Sequence, residues 1–307
     1  WTVDTSRYDN GISELSDYAK NKGLGHVLWY EPERLFPGTH FHTKGTENEQ
    51  WLIDVGEDNI MWNLANEDAF NYYCDYLLSS MKENGLTVYR QDFNFAPLMY
   101  WEKADSEYYG GRTGITENHY VTNLYRFLDY LYENIDGLII DNCASGGKRL
   151  DLEMAYRSIP FWRSDYNCAI HSDLFEATQS QTYGISFWLP ISGTALNMTD
   201  EYSARSAITP LFLMDFFAHT NPDFSFHTEQ REFMTGNYYP LDFGSFDKDR
   251  MMAMQFSNND ALEGMALVYK AKCHRLNRMV AVKILKSDLA DSEDFRRRFR
   301  DESRAVA

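Results

Sequence analysis

Three short stretches concentrate charged and small residues where apolar runs end. They are Asp92 in YRQDFN, the turn DNCASGGKRLD from Asp141 to Asp151, and Asp165 in PFWRSDYN. Two carboxylates at separate strand ends are the apparatus for cleaving a glycosidic bond. One acts ionised, as nucleophile or base, and the other, with a raised pKa, protonates the leaving oxygen. Arg90 stands two residues before Asp92 and so projects to the same side of the strand. A cation there is expected to keep Asp92 ionised. Asp165 follows Phe161 and Trp162, and apolar neighbours are expected to raise its pKa. The turn Ser145-Gly146-Gly147 lets the backbone approach a ligand closely. Each feature also has a plainer role: a strand-end Asp as helix cap or ion-pair member, SGG as a simple turn, Cys143 as a small buried hydrophobe.

Positioning these residues requires regular elements, and the pattern supplies them. The helical stretch ISELSDYAKNKG precedes the apolar run GHVLWYEPE, EDAFNYYCDYLLSSMKENG precedes LTVYRQDF, and ENHYVTNLYRFLDYLYENIDG precedes LIIDNC. Helix, Gly, apolar strand and charged strand end thus recur three times, which predicts parallel βα units in an α/β fold. Carboxylates and a thiol gathered at strand carboxyl ends are the arrangement of a TIM-type (β/α)8 barrel. Later candidate strands are IPFWRSD, GISFWLP and TPLFLMDFF.

A content of 44% hydrophobic residues, with 16% aromatic, is ample for a core. The 21 Tyr, 20 Phe and 7 Trp residues suit both a core and stacking against sugar rings. The net charge of -17 argues against nucleic acid, which rewards basic surfaces, and against anionic membranes. Neither an apolar run long enough to span a bilayer nor a basic-then-apolar leader is present, although the absence of an initial Met leaves an upstream targeting segment open. Cys74, Cys143, Cys168 and Cys273 form no C-x-x-C pair, so free thiols and a cytoplasmic location are expected. His40 and His42 in HFH have metal-ligand character, but such alternation on an edge strand or loop reads as incidental. Asn197-Met198-Thr199 would be a glycosylation acceptor only in a secreted eukaryotic protein. No metal or cofactor is expected.

The ordered series WYEPERLFPGT, WNLANED, YRQDFNF, DNCASGGKRLDLE, FWRSD and TYGISFWLP resembles the catalytic barrel of glycoside hydrolase family 36, the microbial α-galactosidases, from Trp1 to about Tyr269. The resemblance implies a retaining double displacement on an α-galactoside oligosaccharide or glycoconjugate, with Asp92 as nucleophile and Asp165 as acid/base. It implies that Trp29, Arg90, Asn94, Cys143 and Gly146 contact the sugar of the first subsite. Arg90 stands where better-known members have Lys, and Gln91 where they have Trp, which keeps an α-N-acetylgalactosaminidase as an alternative. The resemblance also implies that the first barrel strand, with its paired aspartates, lies upstream of Trp1, as do an amino-terminal β-sandwich and, downstream, most of a carboxy-terminal β domain. The expected architecture is therefore an incomplete barrel over residues 1–263, with a catalytically inactive fragment as a second alternative. Homo-oligomerisation of the full-length parent stays open.

The composition changes near Gly264: residues 266–307 hold 11 Lys and Arg against 6 Asp and Glu. This region, GMALVYKAKCHRLNRMVAVKILK followed by FRRRFRDESRAVA, resembles the start of the small lobe of a bacterial Ser/Thr protein kinase. Val280-Ala281-Val282-Lys283 matches the strand bearing the phosphate-contacting Lys, and Glu302 matches its helix partner. Neither an H-R-D nor a D-F-G segment follows, so no phosphotransfer is expected. Arg296 to Arg300, RRRFR, reads as a solvated helix face. The expected tail is a short β-plus-helix segment over residues 264–307, joined to the barrel sequence at the shared string EGMALVYK.

Overall fold

A computed structural model describes residues 2–159, 161–169, 174–189, 191–196, 201–209, 211–214, 225–244, 252–260, 263–269 and 283–285. The chain divides into two compact units, Trp1–Phe161 and Trp162–Ala307.

The first unit opens with α1 (Ser13–Asn21) and β1 (Val27–Tyr30). A small antiparallel sheet follows: β2 (Arg34–Leu35), then helix α2 (His40–Thr46), β3 (Leu52–Asp54) and β4 (Ile60–Trp62), with β4 central. Then come α3 (Glu67–Glu83), β5 (Val88–Gln91), α4 (Leu98–Tyr108), α5 (Ile115–Asn134), β6 (Ile139–Asn142), α6 (Leu152–Arg157) and β7 (Phe161–Trp162). Strands β1, β5, β6 and β7 are neighbours in that order, and every pairing is parallel. The three predicted helix–strand repeats are therefore present as parallel βα units. The HFH stretch is not an edge strand or loop. It opens α2, where the Thr39 side chain caps the helix by accepting the His42 N–H.

Helix α3 shows why the pattern was readable. Phe70, Tyr73, Cys74, Leu77, Leu78 and Met81 are buried at helical spacing, so one face of the helix meets the sheet. Asn66 caps its start by accepting the Ala69 N–H at 3.0 Å, and Gly85 ends it at φ 64°, where an L side chain would be strained. Phe127 of α5 packs edge-on against Tyr73 of α3 and Tyr89 of β5, with centroids 4.7 and 5.6 Å apart. The core of this unit is thus the layer between the sheet and the pair α3 and α5.

In the second unit a 3-10 turn (Asp165–Cys168) precedes α7 (Leu174–Ile185), β8 (Ser192–Leu196), α8 (Glu201–Ser206) and β9 (Leu211–Met214). Strands β8 and β9 pair in parallel. GISFWLP is not a strand. Its Gly184 and Ile185 are the last turn of α7, which buries Leu174, Thr178 and Thr182 four residues apart. The amides of Trp188 and Leu189 then both bond back to the Ile185 carbonyl, which closes the chain into a turn. After α9 (Ser225–Met234), an antiparallel sheet runs through β10 (Asn237–Pro240), β11 (Met252–Ser257), β12 (Gly264–Tyr269) and β13 (Lys283–Leu285). Phe233, Met234, Met252, Met254, Phe256, Met265 and Leu267 form its core. Residues on both sides of Gly264 therefore share one sheet. Within the kinase-like match, Lys283 lies in β13, opposite Ala266. Val280 to Val282, Arg296 to Arg300 and Glu302 lie outside the described residues, as do Cys273 and Asn197 to Thr199. Among the described residues no helix is long and apolar enough to cross a membrane.

Leu77 is fully buried between α3 and the sheet. Leu77→Ala should lower unfolding stability by about 2–5 kcal/mol in urea titrations. A loss below about 1 kcal/mol would show that this interface is not the core of the unit.

Candidate active site

Strand alternation sorts the parallel sheet into two faces. Leu28, Tyr89 and Ile140 lie side by side across β1, β5 and β6, and Tyr30, Gln91 and Asn142 form the next row of the same face. That face meets the helices and is almost wholly buried. On the opposite face Trp29, Arg90 and Asp141 stand side by side. Asp92 and Cys143 follow two residues beyond Arg90 and Asp141, and the Asp92 amide still bonds to the Tyr30 carbonyl at 2.9 Å. The chemistry-bearing residues thus share one face at the carboxyl ends of the strands.

Asp92 is half-buried and held from several sides. Its Oδ1 accepts the amides of Phe93 at 2.7 Å and Ser145 at 3.1 Å, and its Oδ2 accepts Trp29 Nε1 at 3.3 Å. Burial works to raise its pKa. Hydrogen bonds from the Asn94 side chain, the Ser145 and Phe93 amides and Cys143 outweigh burial and hold the carboxyl below its ordinary value. A carboxyl depressed in the fold stabilises it above the unfolded pKa, and that contribution is lost as pH falls through the folded value. Burial, with the Asp92 charge adding to it, pushes the Cys143 thiol up to about 12, so it stays protonated and can donate.

Arg90 forms its ion pair with Asp141, while the Asp92 charge also acts on it. Its Nη1 donates to Asp141 Oδ2 at 2.6 Å, because parallel register places the two side chains directly abreast. Burial works to lower the Arg90 pKa, but Asp141 outweighs it and holds the guanidinium above its ordinary range. Burial pushes Asp141 up against the pull of Arg90, and the nearby Asp92 charge adds to the rise. Asp92 is therefore kept ionised chiefly by oriented donors.

The Ser145 amide reaches Asp92 because the turn after β6 is tightly wound. Ser145 has a left-handed φ of 46° and Gly146 one of 83°, and the Ala144 amide bonds to the Gly146 carbonyl at 2.9 Å. Ser145 Oγ also donates to Asn94 Oδ1 at 3.0 Å. Trp29, Asn94, Cys143 and Gly146 are thus brought together around Asp92 within the first unit. Asp165 belongs to the second unit, where it opens the 3-10 turn and its Oδ1 accepts Trp162 Nε1 at 2.8 Å.

Sequence reasoning missed the two glutamates of WYEPE. Glu31 Oε1 accepts the Asn94 amide at 2.9 Å, and its other oxygen pairs with Arg34. Glu33 is 0% exposed. Its Oε1 accepts Gln91 Nε2 at 2.5 Å and Arg149 Nη1 at 2.7 Å, and its Oε2 accepts Tyr120 Oη at 2.7 Å and Arg149 Nη2 at 2.8 Å. The only local signal was a pair of acidic residues straight after the strand β1. Elsewhere, Cys74 and Cys143 are buried thiols and Cys168 is exposed, none of the three in a disulfide. His40 Nε2 bonds Tyr72 Oη at 2.8 Å, and His42 Nδ1 accepts the Gly38 amide at 3.4 Å. Among the described residues no three His, Cys, Asp or Glu side chains gather where a metal could sit.

Fold and site together define a class: α/β proteins that gather polar and charged side chains at the carboxyl ends of a parallel sheet. Within that class the Melibiase family model matches residues 1–201, and the chain belongs to the Melibiase family. It is 25% identical over 197 residues to an alpha-galactosidase of Escherichia coli, covering 62% of this chain and 25% of that protein. It is 24% identical over 206 residues to alpha-galactosidase AgaA of Geobacillus stearothermophilus, covering 65% and 27% respectively. The chain therefore spans about a quarter of the length of these relatives. The crystal structure of GH36 α-galactosidase AgaA matches the fold with a TM-score of 0.71 at 18% identity, over 94% of this chain and 42% of that one. The galactosidase domain of the α-galactosidase–sucrose kinase AgaSK matches with a TM-score of 0.73 at 15% identity, over 93% and 41%.

Asn94→Ala removes one donor from Asp92 and the acceptor of Ser145 Oγ. The Asp92 carboxyl, followed by carbon-13 NMR against pH, should then titrate closer to its ordinary value. An unchanged titration would show that Asn94 does not hold the ionised form.

Proposed function

We propose that this chain carries catalytic machinery for retaining hydrolysis of terminal α-galactosides. The observation that carries the reading is Asp92, a carboxylate at the carboxyl end of β5 kept ionised by amides, an indole and a carboxamide. In this reading Asp92 attacks the anomeric carbon as the bond to the leaving oxygen breaks, and Asp165 gives its proton to that oxygen. Asp165 then takes a proton from water, which displaces Asp92 and releases the sugar with its configuration retained. Trp162 Nε1 donates to one Asp165 oxygen and steadies the carboxyl. Trp29, 48% exposed, offers its ring to the sugar while its Nε1 steadies Asp92. Arg90, Asn94, Cys143 and Gly146 complete the first subsite, with the Arg90–Asp141 pair presenting charge to ring hydroxyls. Variants of AgaA have been solved with raffinose and with stachyose, and we extend that substrate class, α-galactosyl oligosaccharides, to this chain.

Two variants test the assignment with an aryl α-galactoside. Asp92→Ala should abolish turnover, and Asp165→Ala should reduce it by about 10²- to 10⁴-fold, the usual contribution of general acid–base catalysis. Proton NMR of the first product should show the α-anomer. Persisting hydrolysis in Asp92→Ala, or initial release of the β-anomer, would remove Asp92 as the nucleophile.

We further propose that residues 264–307 are a segment of separate origin without phosphotransfer activity. Support comes from the basic shift in composition over residues 266–307 and from the likeness of GMALVYKAKCHRLNRMVAVKILK to a kinase small lobe. Calorimetric titration with Mg-ATP should be flat; saturable binding would overturn this.

A further inference from the structure

We propose that Glu33 and Arg149 are positioning residues for the reaction, a buried pair that aims the donors holding Asp92. The proposal rests on the reading of Asp92 as nucleophile. Arg149 sits on the turn that carries Ser145 and Gly146. Asn142 Nδ2 donates to the Arg149 carbonyl at 3.3 Å, and the Leu150 amide bonds to the Gly147 carbonyl at 3.1 Å. The Arg149 guanidinium forks onto both oxygens of Glu33 and lies 4.3 Å over the Phe93 ring. It therefore anchors the two residues whose amides Asp92 Oδ1 accepts, Ser145 through the turn and Phe93 through its ring. Glu33 also receives Gln91, the residue immediately before Asp92. One carboxylate thus ties down both flanks of the nucleophile.

Two further observations favour positioning over mere cohesion. Ser145 is held in a left-handed conformation that non-glycine residues rarely adopt, and such strain persists only where the surroundings over-determine it. The strained residue is the one whose amide points at Asp92. A buried ion pair is also a weak source of stability, since apolar replacement of both partners is often neutral or better. The charged groups facing Asp92 are Arg90 and Asp141, beside the Cys143 thiol. Glu33 reaches Asp92 through Gln91, Phe93 and the turn, so the pair acts on Asp92 through donor geometry.

The test compares the full chain with Glu33→Gln, Arg149→Lys and the double variant Glu33→Gln/Arg149→Met. Thermal midpoint, kcat and KM against pH, and the carbon-13 titration of Asp92, assigned by its loss in Asp92→Asn, are measured for each. Glu33→Gln strands a buried cation and should lower the midpoint, while the double variant should recover it. In all three, kcat should fall about 10- to 100-fold at nearly constant KM, as expected for a small misplacement of a reacting group. The Asp92 titration and the acid limb of kcat should rise by about one unit, the worth of one charge-assisted hydrogen bond. Recovery of kcat and of the Asp92 titration together with the midpoint in the double variant would overturn the proposal, because the pair would then be structural only. If the parent chain hydrolyses no galactoside yet the titration moves as expected, the positioning stands and the nucleophile reading falls.

Discussion

Glu33 is a fully buried carboxylate with four donors arriving from three separate parts of the chain. Taking such an ion from water is costly, and the cost is offset only when its lone pairs are filled in good geometry. Gln91 must therefore end β5 at the right register, Tyr120 must lie on the inward face of α5, and the turn after β6 must fold back far enough for Arg149 to fork onto Glu33. Strand, helix and turn are each constrained by the same two oxygens. Asp92 stands one residue beyond Gln91 and accepts an amide from that turn, so its surroundings inherit the constraint.

The sheet makes this arrangement possible by dividing its faces. One face gives Tyr30, Tyr89 and Ile140 to the helices and keeps Gln91 and Asn142 for internal hydrogen bonds. The other carries Trp29, Arg90 and Asp141 in a row, with Asp92 and Cys143 beyond it. Packing and chemistry thus share strands without sharing side chains. Asp92 is kept ionised mainly by fixed dipoles, and donors already in place need not reorganise when charge shifts during a reaction. Arg90 contributes from a distance, because its own charge is neutralised beside it by Asp141.

The parts of this account that the sequence disclosed are those with local cause. Helices α3 and α5 announce themselves by apolar spacing, and Asp92, Cys143 and Gly146 by their place at the end of apolar runs. GISFWLP misled because a short apolar run has no period to distinguish a strand from a helix end, and the helix before it buries polar Thr178, Gln179 and Thr182 beside Leu174. HFH misled because its alternation outweighed the cap at Thr39. Strand alternation put Arg90 on the correct face but said nothing of its neighbour Asp141, 51 residues away. Glu33 and Arg149 are 116 residues apart and share no local pattern. Their pairing exists only once the sheet and the turn are in register.

In the proposed reaction Asp92 is the carboxylate held ready to form a covalent bond to sugar. The most direct measurement is mass spectrometry of the protein after reaction with a fluorinated α-galactosyl fluoride that slows release of the sugar. The account predicts one galactosyl adduct, located on the peptide containing Asp92 and absent from Asp92→Asn. An adduct on a different carboxylate, or turnover of galactosides with no covalent adduct at any stage, would contradict it.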